Sequence, residues 1–310
     1  GVKFVYLSRS SNSYYENNAV KRRTVKDFFY EEPVQLGNLT KVFDWGEIDK
    51  DTWADIGTDA RTIETQYVNN TTGGNYLIGL PQQTVVKDYQ NVQTRQSWFW
   101  YDNNPGLNDL PTRGLLTKKE DWNNNPQGHV NNPVAQYSYN AWGNLMSTTD
   151  ARGKVTTVTY DPVLNLFPLT TTNAMNQVVT SEYYGVNGVA LDDGNGLKGL
   201  WGQLKATTDP NNQTGRKAYD VFGRGVKDIS PLDTVALPTG EGSYEYFANY
   251  SKVVKKQRVE SGQSAMIEVV EFYDGLGRLI QKKTPTENPS VFVVSGQPEY
   301  NSRGLPEFQY

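Results

Sequence analysis

The stretch Tyr273–Thr284, YDGLGRLIQKKT, writes a hairpin in one line. An extended run ends in Tyr273, and Asp274 and Gly277 then bracket two intervening residues. An Asp side chain bonds back to the backbone just after it, and Gly takes up positive φ without strain, so Asp-x-x-Gly is tight-turn chemistry. A second strand follows. Strand, turn and strand in one short stretch specify an antiparallel β-hairpin.

The pattern recurs. Tyr-x-x-x-Gly appears at Tyr139–Gly143 (YNAWG), Tyr184–Gly188 (YGVNG), Tyr219–Gly223 (YDVFG) and Tyr300–Gly304 (YNSRG). Tyr219, Tyr246, Tyr273 and Tyr300 fall 27 residues apart, with Tyr246 keeping the phase but lacking the glycine. A second element lies between these turns. WGNLMSTTDARG (Trp142–Gly153) aligns without gaps on WGQLKATTDPNN (Trp201–Asn212), and NLFPLTTTNAMN (Asn165–Asn176) keeps the same frame. Each places Thr-Thr before an Asx residue (Asp150, Asp209 or Asn173), with Gly153, Asn212 or Asn176 three positions later. The Thr-rich segments Leu145–Thr149 and Lys154–Tyr160 read as half-buried strands. The unit is therefore strand, turn, strand, turn, and chained units predict a continuous antiparallel strip.

Residues 134–310 carry this pattern clearly, and residues 1–133 only weakly. The earlier stretch still reads as β at Gly1–Leu7, Thr24–Tyr30, Leu39–Phe43, Ile63–Val68, Gln83–Asp88 and Gln93–Trp100. Asn, Gly and Pro clusters such as NNTTGGN, DNNPGL and NNNPQG punctuate it. Residues 1–133 are expected to be diverged hairpins continuous with the same sheet, and Ile48–Asp55 is expected to form a single helical turn. No long amphipathic helix is expected.

Composition supports an all-β reading. Aromatic residues reach 12%, led by 20 Tyr, although only 36% of the chain is hydrophobic. Tyrosine has an apolar body and a polar tip, which suits sheet faces that are only partly covered. The net charge of −4 gives no basic footprint for nucleic acid. Without cysteine there is neither a disulfide nor a thiolate metal site. No apolar run approaches the 18 residues of a membrane helix. A chain that starts at Gly1 and stops just inside a repeat reads as a segment of a larger protein.

YDVFGR and YDGLGRLIQKKT, with the Thr-Thr-Asp-x-x-Gly phrase between such turns, resemble the YD repeat of Rhs proteins. YDPVLNLFPLTTTNAMNQ (Tyr160–Gln177) is similar to variants in large bacterial Rhs and toxin-complex proteins. The resemblance implies a strip of hairpins that spirals into a hollow shell. In bacterial Rhs toxins and toxin-complex B and C subunits such a shell encloses a toxic passenger; in teneurins a related barrel serves cell-surface contact. The chain is thus expected to be a secreted or cell-surface bacterial structural segment, partnered by its own repeats and a passenger. The alternative is an adhesion module that binds a glycan or a cell-surface protein. Self-cleavage is not expected at Asp161-Pro162 or Asp209-Pro210, since more repeats follow each.

The repeat residues are assigned structural roles: Tyr139, Gly143, Asp150, Gly153, Tyr160, Asp161, Asp209, Tyr219, Asp220, Gly223, Tyr273, Asp274, Gly277, Tyr300 and Gly304. No catalytic residue or cofactor is expected. His129 is the only histidine, which leaves little material for a Ser-His-Asp triad and none for a His-rich metal site. Asp49, Asp51 and Asp55 are weak cation candidates whose spacing departs from a calcium loop. Trp98 and Trp100 share one strand face and form the candidate sugar or partner contact.

Overall fold

The computed structural model describes residues 5–16, 19–31, 36–125, 128–288 and 291–309. The described residues contain strands, turns and loops but no helix. Two compact units divide the chain, Gly1–Thr157 and Val158–Tyr310.

The first unit is a meander. Its strands are β1 (Arg9–Glu16), β2 (Ala19–Tyr30), β3 (Leu39–Ile48), β4 (Arg61–Asn70), β5 (Leu77–Lys87), β6 (Gln93–Tyr101), β7 (Leu116–Asp121), β8 (Val134–Tyr139), β9 (Leu145–Thr149) and β10 (Val155–Tyr160), the last of which runs across the unit boundary. Each pairs antiparallel with its sequence neighbour. The second unit repeats the plan with β11 (Pro168–Thr172), β12 (Val178–Tyr183), β13 (Leu204–Thr208), β14 (Thr214–Tyr219), β15 (Gly225–Ile229), β16 (Gly240–Tyr246), β17 (Tyr250–Arg258), β18 (Met266–Asp274), β19 (Leu279–Pro285) and β20 (Phe292–Ser295). These too pair in sequence order. A last hairpin joins β21 (Pro298–Tyr300) to β22 (Pro306–Gln309).

The strands form for the reason their composition gives. In β10 (VTTVTY) and β12 (VVTSEY) exposed and half-buried positions alternate without a break, the period of a pleated sheet covered on one side. Burial is correspondingly thin. One apolar cluster gathers Leu197, Ala218 and Ile229, with Val226 and Val235 against it. Large apolar side chains such as Val221, Phe222 and Leu276 stay exposed at turn tips.

Two expectations need correction, and a third takes a particular form. Val5–Leu7 is not a strand, and Gly1–Phe4 lies outside the described residues; the first strand is Arg9–Glu16, where Arg9 forms an ion pair with Asp27 of β2. Within Ile48–Asp55 the expected turn is one uncontinued α-turn, in which Trp53, at φ 63°, donates its N–H to the Asp49 carbonyl at 3.0 Å, and Ile48 bridges to Asp55. Tyr184–Gly188 holds the motif one residue out of phase, as its geometry shows below.

Candidate functional site

The side chains that the repeat brings together lie in its turns. In the compact tyrosine turn, Asp220 N–H donates to the Arg224 carbonyl at 2.9 Å and Gly223 N–H to the Asp220 carbonyl at 3.0 Å. The Asp220 carboxylate also accepts from the N–H groups of Phe222 (2.9 Å) and Arg224 (3.0 Å). Asn140, Asp274 and Asn301 repeat all four contacts. The Thr-Thr-Asx turns at Asp150, Asn173 and Asp209 repeat them as well. One device serves both kinds of turn: a single Asx oxygen receives two backbone donors, and the residue three positions on takes up positive φ. That residue is Gly at 223 (φ 79°) and 277 (φ 77°), and Asn at 176 and 212.

The tyrosine does a different job. It sits where strand register slips by one residue: Tyr139 faces Leu145, Tyr219 faces Gly225, Tyr273 faces Leu279 and Tyr300 faces Pro306. This is a β-bulge at the strand end. The same slip marks Tyr30 opposite Leu39, Tyr67 opposite Pro81, Tyr101 opposite Leu116 and Tyr183 opposite Leu204. A hydroxyl ladder links these positions. Tyr67 donates to the carbonyl of Leu39 (2.8 Å), Tyr101 to Pro81 (2.8 Å) and Tyr139 to Leu116 (2.8 Å). Tyr219 donates to Leu204 (3.0 Å) and Tyr300 to Leu279 (2.9 Å), and Tyr244, in regular register opposite Val253, donates to Gly225 (3.2 Å). In every case the acceptor is the residue that faces the tyrosine of the preceding bulge. Tyr273 is an exception, donating to Glu271 of its own strand at 2.8 Å. Burial pushes Tyr101 up to about 12, as expected of a hydroxyl kept as a donor.

Arginine completes two of the turns. Arg224 pairs with Asp220 and lies 4.1 Å over the Tyr244 ring; Arg278 pairs with Asp274 and lies 4.4 Å over the Tyr300 ring. Each guanidinium therefore ties its own turn to an aromatic ring of a following strand.

Two turns are enlarged. Asp161 is buried and receives N–H groups from Leu164 (2.7 Å), Leu166 (2.8 Å) and Phe167 (2.9 Å). Burial by itself would raise its pKa, but these donors outweigh burial and hold the carboxyl at about 2. Asp102 closes the loop between β6 and β7 by accepting from Thr112 (2.7 Å), Arg113 (2.8 Å), Gly114 (3.0 Å) and Leu115 (2.9 Å). Sequence reasoning missed Tyr101-Asp102 as a YD pair because Asn103-Asn104-Pro105 reads as ordinary loop. It also missed Asp88, whose contacts to Gln90, Val92 and Asn91 match the Asp209 turn; the Asp-x-x-Asn spacing was the available signal. At Tyr183-Tyr184 the bulge falls on Tyr183. Tyr184 takes the Asp position, donates its N–H to the Gln203 carbonyl, and is fully buried.

The remaining candidates take ordinary roles. Asp49 caps its own turn by accepting from Asp51 N–H (3.0 Å) and from Thr52 N–H (2.6 Å) and hydroxyl (2.8 Å); Asp51 pairs with Lys50, and Asp55 sits in the bridge to Ile48. Among the described residues no three metal-ligating side chains converge. Trp98 is not part of an exposed platform. It is 5% exposed, and the His129 ring lies 4.3 Å away while its Nδ1 meets buried Glu120 at 2.5 Å. The loop containing His129 covers that ring, and Lys118 lies over Trp100 at 3.8 Å.

A family model described as RHS Repeat matches residues 139–174, from the first compact tyrosine turn to the Asn173 turn. No curated protein matches the sequence. Among solved structures the chain is similar to TcdB2-TccC3, with a TM-score of 0.51 at 12% identity, over 96% of this chain and 22% of that one. It is similar to TcdB2-TccC3-TEV at a TM-score of 0.51 and 10% identity, over 96% of this chain and 24% of that one. The chain thus spans less than a quarter of the structures it resembles, and at these identities the likeness is one of fold. Residues 139–174 thus match an RHS repeat, and bulged tyrosines with Asx-closed turns recur on either side of that match.

Proposed function

We propose that this chain is a stretch of wall in an RHS-repeat shell, which in the whole protein encloses and shields a passenger domain. One observation carries the reading: the polar groups of the repeat are engaged by the repeat itself. Asx oxygens bind their own turns, tyrosine hydroxyls bind the preceding hairpin, and the YD arginines bridge to later rings. Such residues extend a sheet unit by unit, as a wall requires. The strand edges within it are paired rather than left to aggregate.

Residues 1–133 belong to the same wall as diverged units. Tyr30, Tyr67 and Tyr101 at bulges support this, as does the pairing of Lys118 with Gln136 across β7 and β8. The resemblance to bacterial Rhs proteins makes the passenger a toxin and the setting secreted or cell-surface.

The test is protease digestion of the full-length polypeptide that contains this chain. The passenger is expected to survive in the native protein and to be cut once urea opens the shell. A passenger degraded equally fast in both states would defeat the reading.

A further inference from the structure

In a meander every second connection falls on the same edge of the sheet. In the second unit the β13–β14 turn, the β15–β16 loop and the β17–β18 loop gather in this way, and they line an open pocket of about 470 Å³. That is the size of a small-molecule site. The pocket carries side chains of both charges: Asp209 from the first connection, Asp233 from the second and Arg258 from the end of β17.

Arg258 is the unusual member. It is 7% exposed, yet among the described residues no carboxylate forms an ion pair with it. Its Nε donates to the Pro238 carbonyl at 2.8 Å and its Nη1 to the Gln263 carbonyl. Among the described residues its Nη2 has no partner, and no fully buried polar atom lacks one, so Nη2 opens onto the pocket. A buried charge without a counter-ion costs free energy, which an anionic group at Nη2 would recover. Asp233 is not that counter-ion. Its carboxylate is taken by the Ser261 hydroxyl (2.6 Å), the Thr239 hydroxyl (2.5 Å) and the Gly262 N–H (3.3 Å). Asp209 spends only one oxygen: Oδ1 accepts from the N–H groups of Asn211 and Gln213, while Oδ2 has no partner among the described residues. Leu232 forms the lip. Asp233 N–H donates to the Ser230 carbonyl at 2.9 Å, closing a turn with Pro231 in its second position, and Leu232 stands out from that turn 78% exposed.

We propose that this pocket binds an apolar α-amino acid as its zwitterion. The pocket offers one guanidinium nitrogen, one carboxylate oxygen and an apolar lip. These match in turn the carboxylate, the ammonium and the side chain of such a ligand. A simple anion would meet Arg258 but be opposed by the charges of Asp209 and Asp233. A simple cation would leave Arg258 unpaired. The zwitterion answers both groups and adds no net charge. The site lies in the connecting loops, so it does not depend on the shell reading and stands or falls separately.

The test is calorimetric titration of the chain with L-leucine, L-valine and L-phenylalanine. At least one is expected to bind saturably. For that amino acid, the amide, which lacks the carboxylate, and the N-acetyl derivative, which lacks the ammonium, are each expected to bind about tenfold more weakly, the scale of one hydrogen bond to a charged group. Asp209→Asn removes the charge but keeps the turn, since Asn173 closes the same kind of turn. It is expected to weaken binding about tenfold at unchanged melting temperature. Arg258→Gln should abolish binding, with Asp209→Asn and the two derivatives deciding if that variant does not fold. No saturable signal from any of the three amino acids, equal affinity for either derivative, or binding undiminished in Asp209→Asn overturns the proposal.

Discussion

Strands β2–β6 run for nine to twelve residues, whereas β8–β15 run for five or six. The turns differ in the same sense. In the later stretch Tyr139, Tyr219, Tyr273 and Tyr300 meet their partners at one constant offset, while Tyr183 meets Leu204 across a longer loop. In the earlier stretch Tyr30, Tyr67 and Tyr101 meet theirs after longer, unequal loops. What persists is the bulged tyrosine and its hydroxyl bond to the preceding hairpin. The tyrosine is thus the constant part of the unit, and the turn beyond it is free to change.

The sharpest way to break this comparison is to remove the carboxylate from an enlarged turn and from a compact one. Asp102 receives four backbone donors, where Asp209 receives two. Asp102→Ala is expected to cost about 2 kcal/mol, the scale of hydrogen bonds to a charged group, and Asp209→Ala less. Urea denaturation measures both, and an Asp209→Ala loss equal to that of Asp102→Ala would refute the distinction. Next come the turn glycines. Gly223→Ala and Gly277→Ala share the strain of positive φ, about 1 kcal/mol. A Cβ at 223 would also lie 3.0 Å from Gln203 and 3.2 Å from Leu200, while one at 277 meets nothing. Gly223→Ala is expected to melt lower, and equal melting temperatures would remove crowding from the account. The smallest effect lies in the ladder. Tyr67→Phe and Tyr219→Phe should each cost about 0.5–1.5 kcal/mol. A loss at Tyr219 with none at Tyr67 would separate the two stretches as different kinds of unit.

The later stretch was legible because its information is local. Asp220 and Gly223, or Asp150 and Gly153, fix a turn within a few residues, and β10 shows its period directly in VTTVTY. The tyrosine's role was not legible, because its partner lies on the strand before it. Leu39 and Tyr67, or Pro81 and Tyr101, share no spacing that a scan could register. Trp98 misled for a similar reason: alternation assigns its face, but the His129 loop that covers it comes from far along the chain.

Every hydroxyl in the ladder points back toward the N-terminus. Leu39 is synthesised before Tyr67, Pro81 before Tyr101, Leu116 before Tyr139, and Leu204 before Tyr219. On the ribosome, each new tyrosine therefore arrives to find its acceptor already made. The strip can close like a zip in the direction of translation, with each ladder tyrosine's bond complete once its own hairpin has emerged.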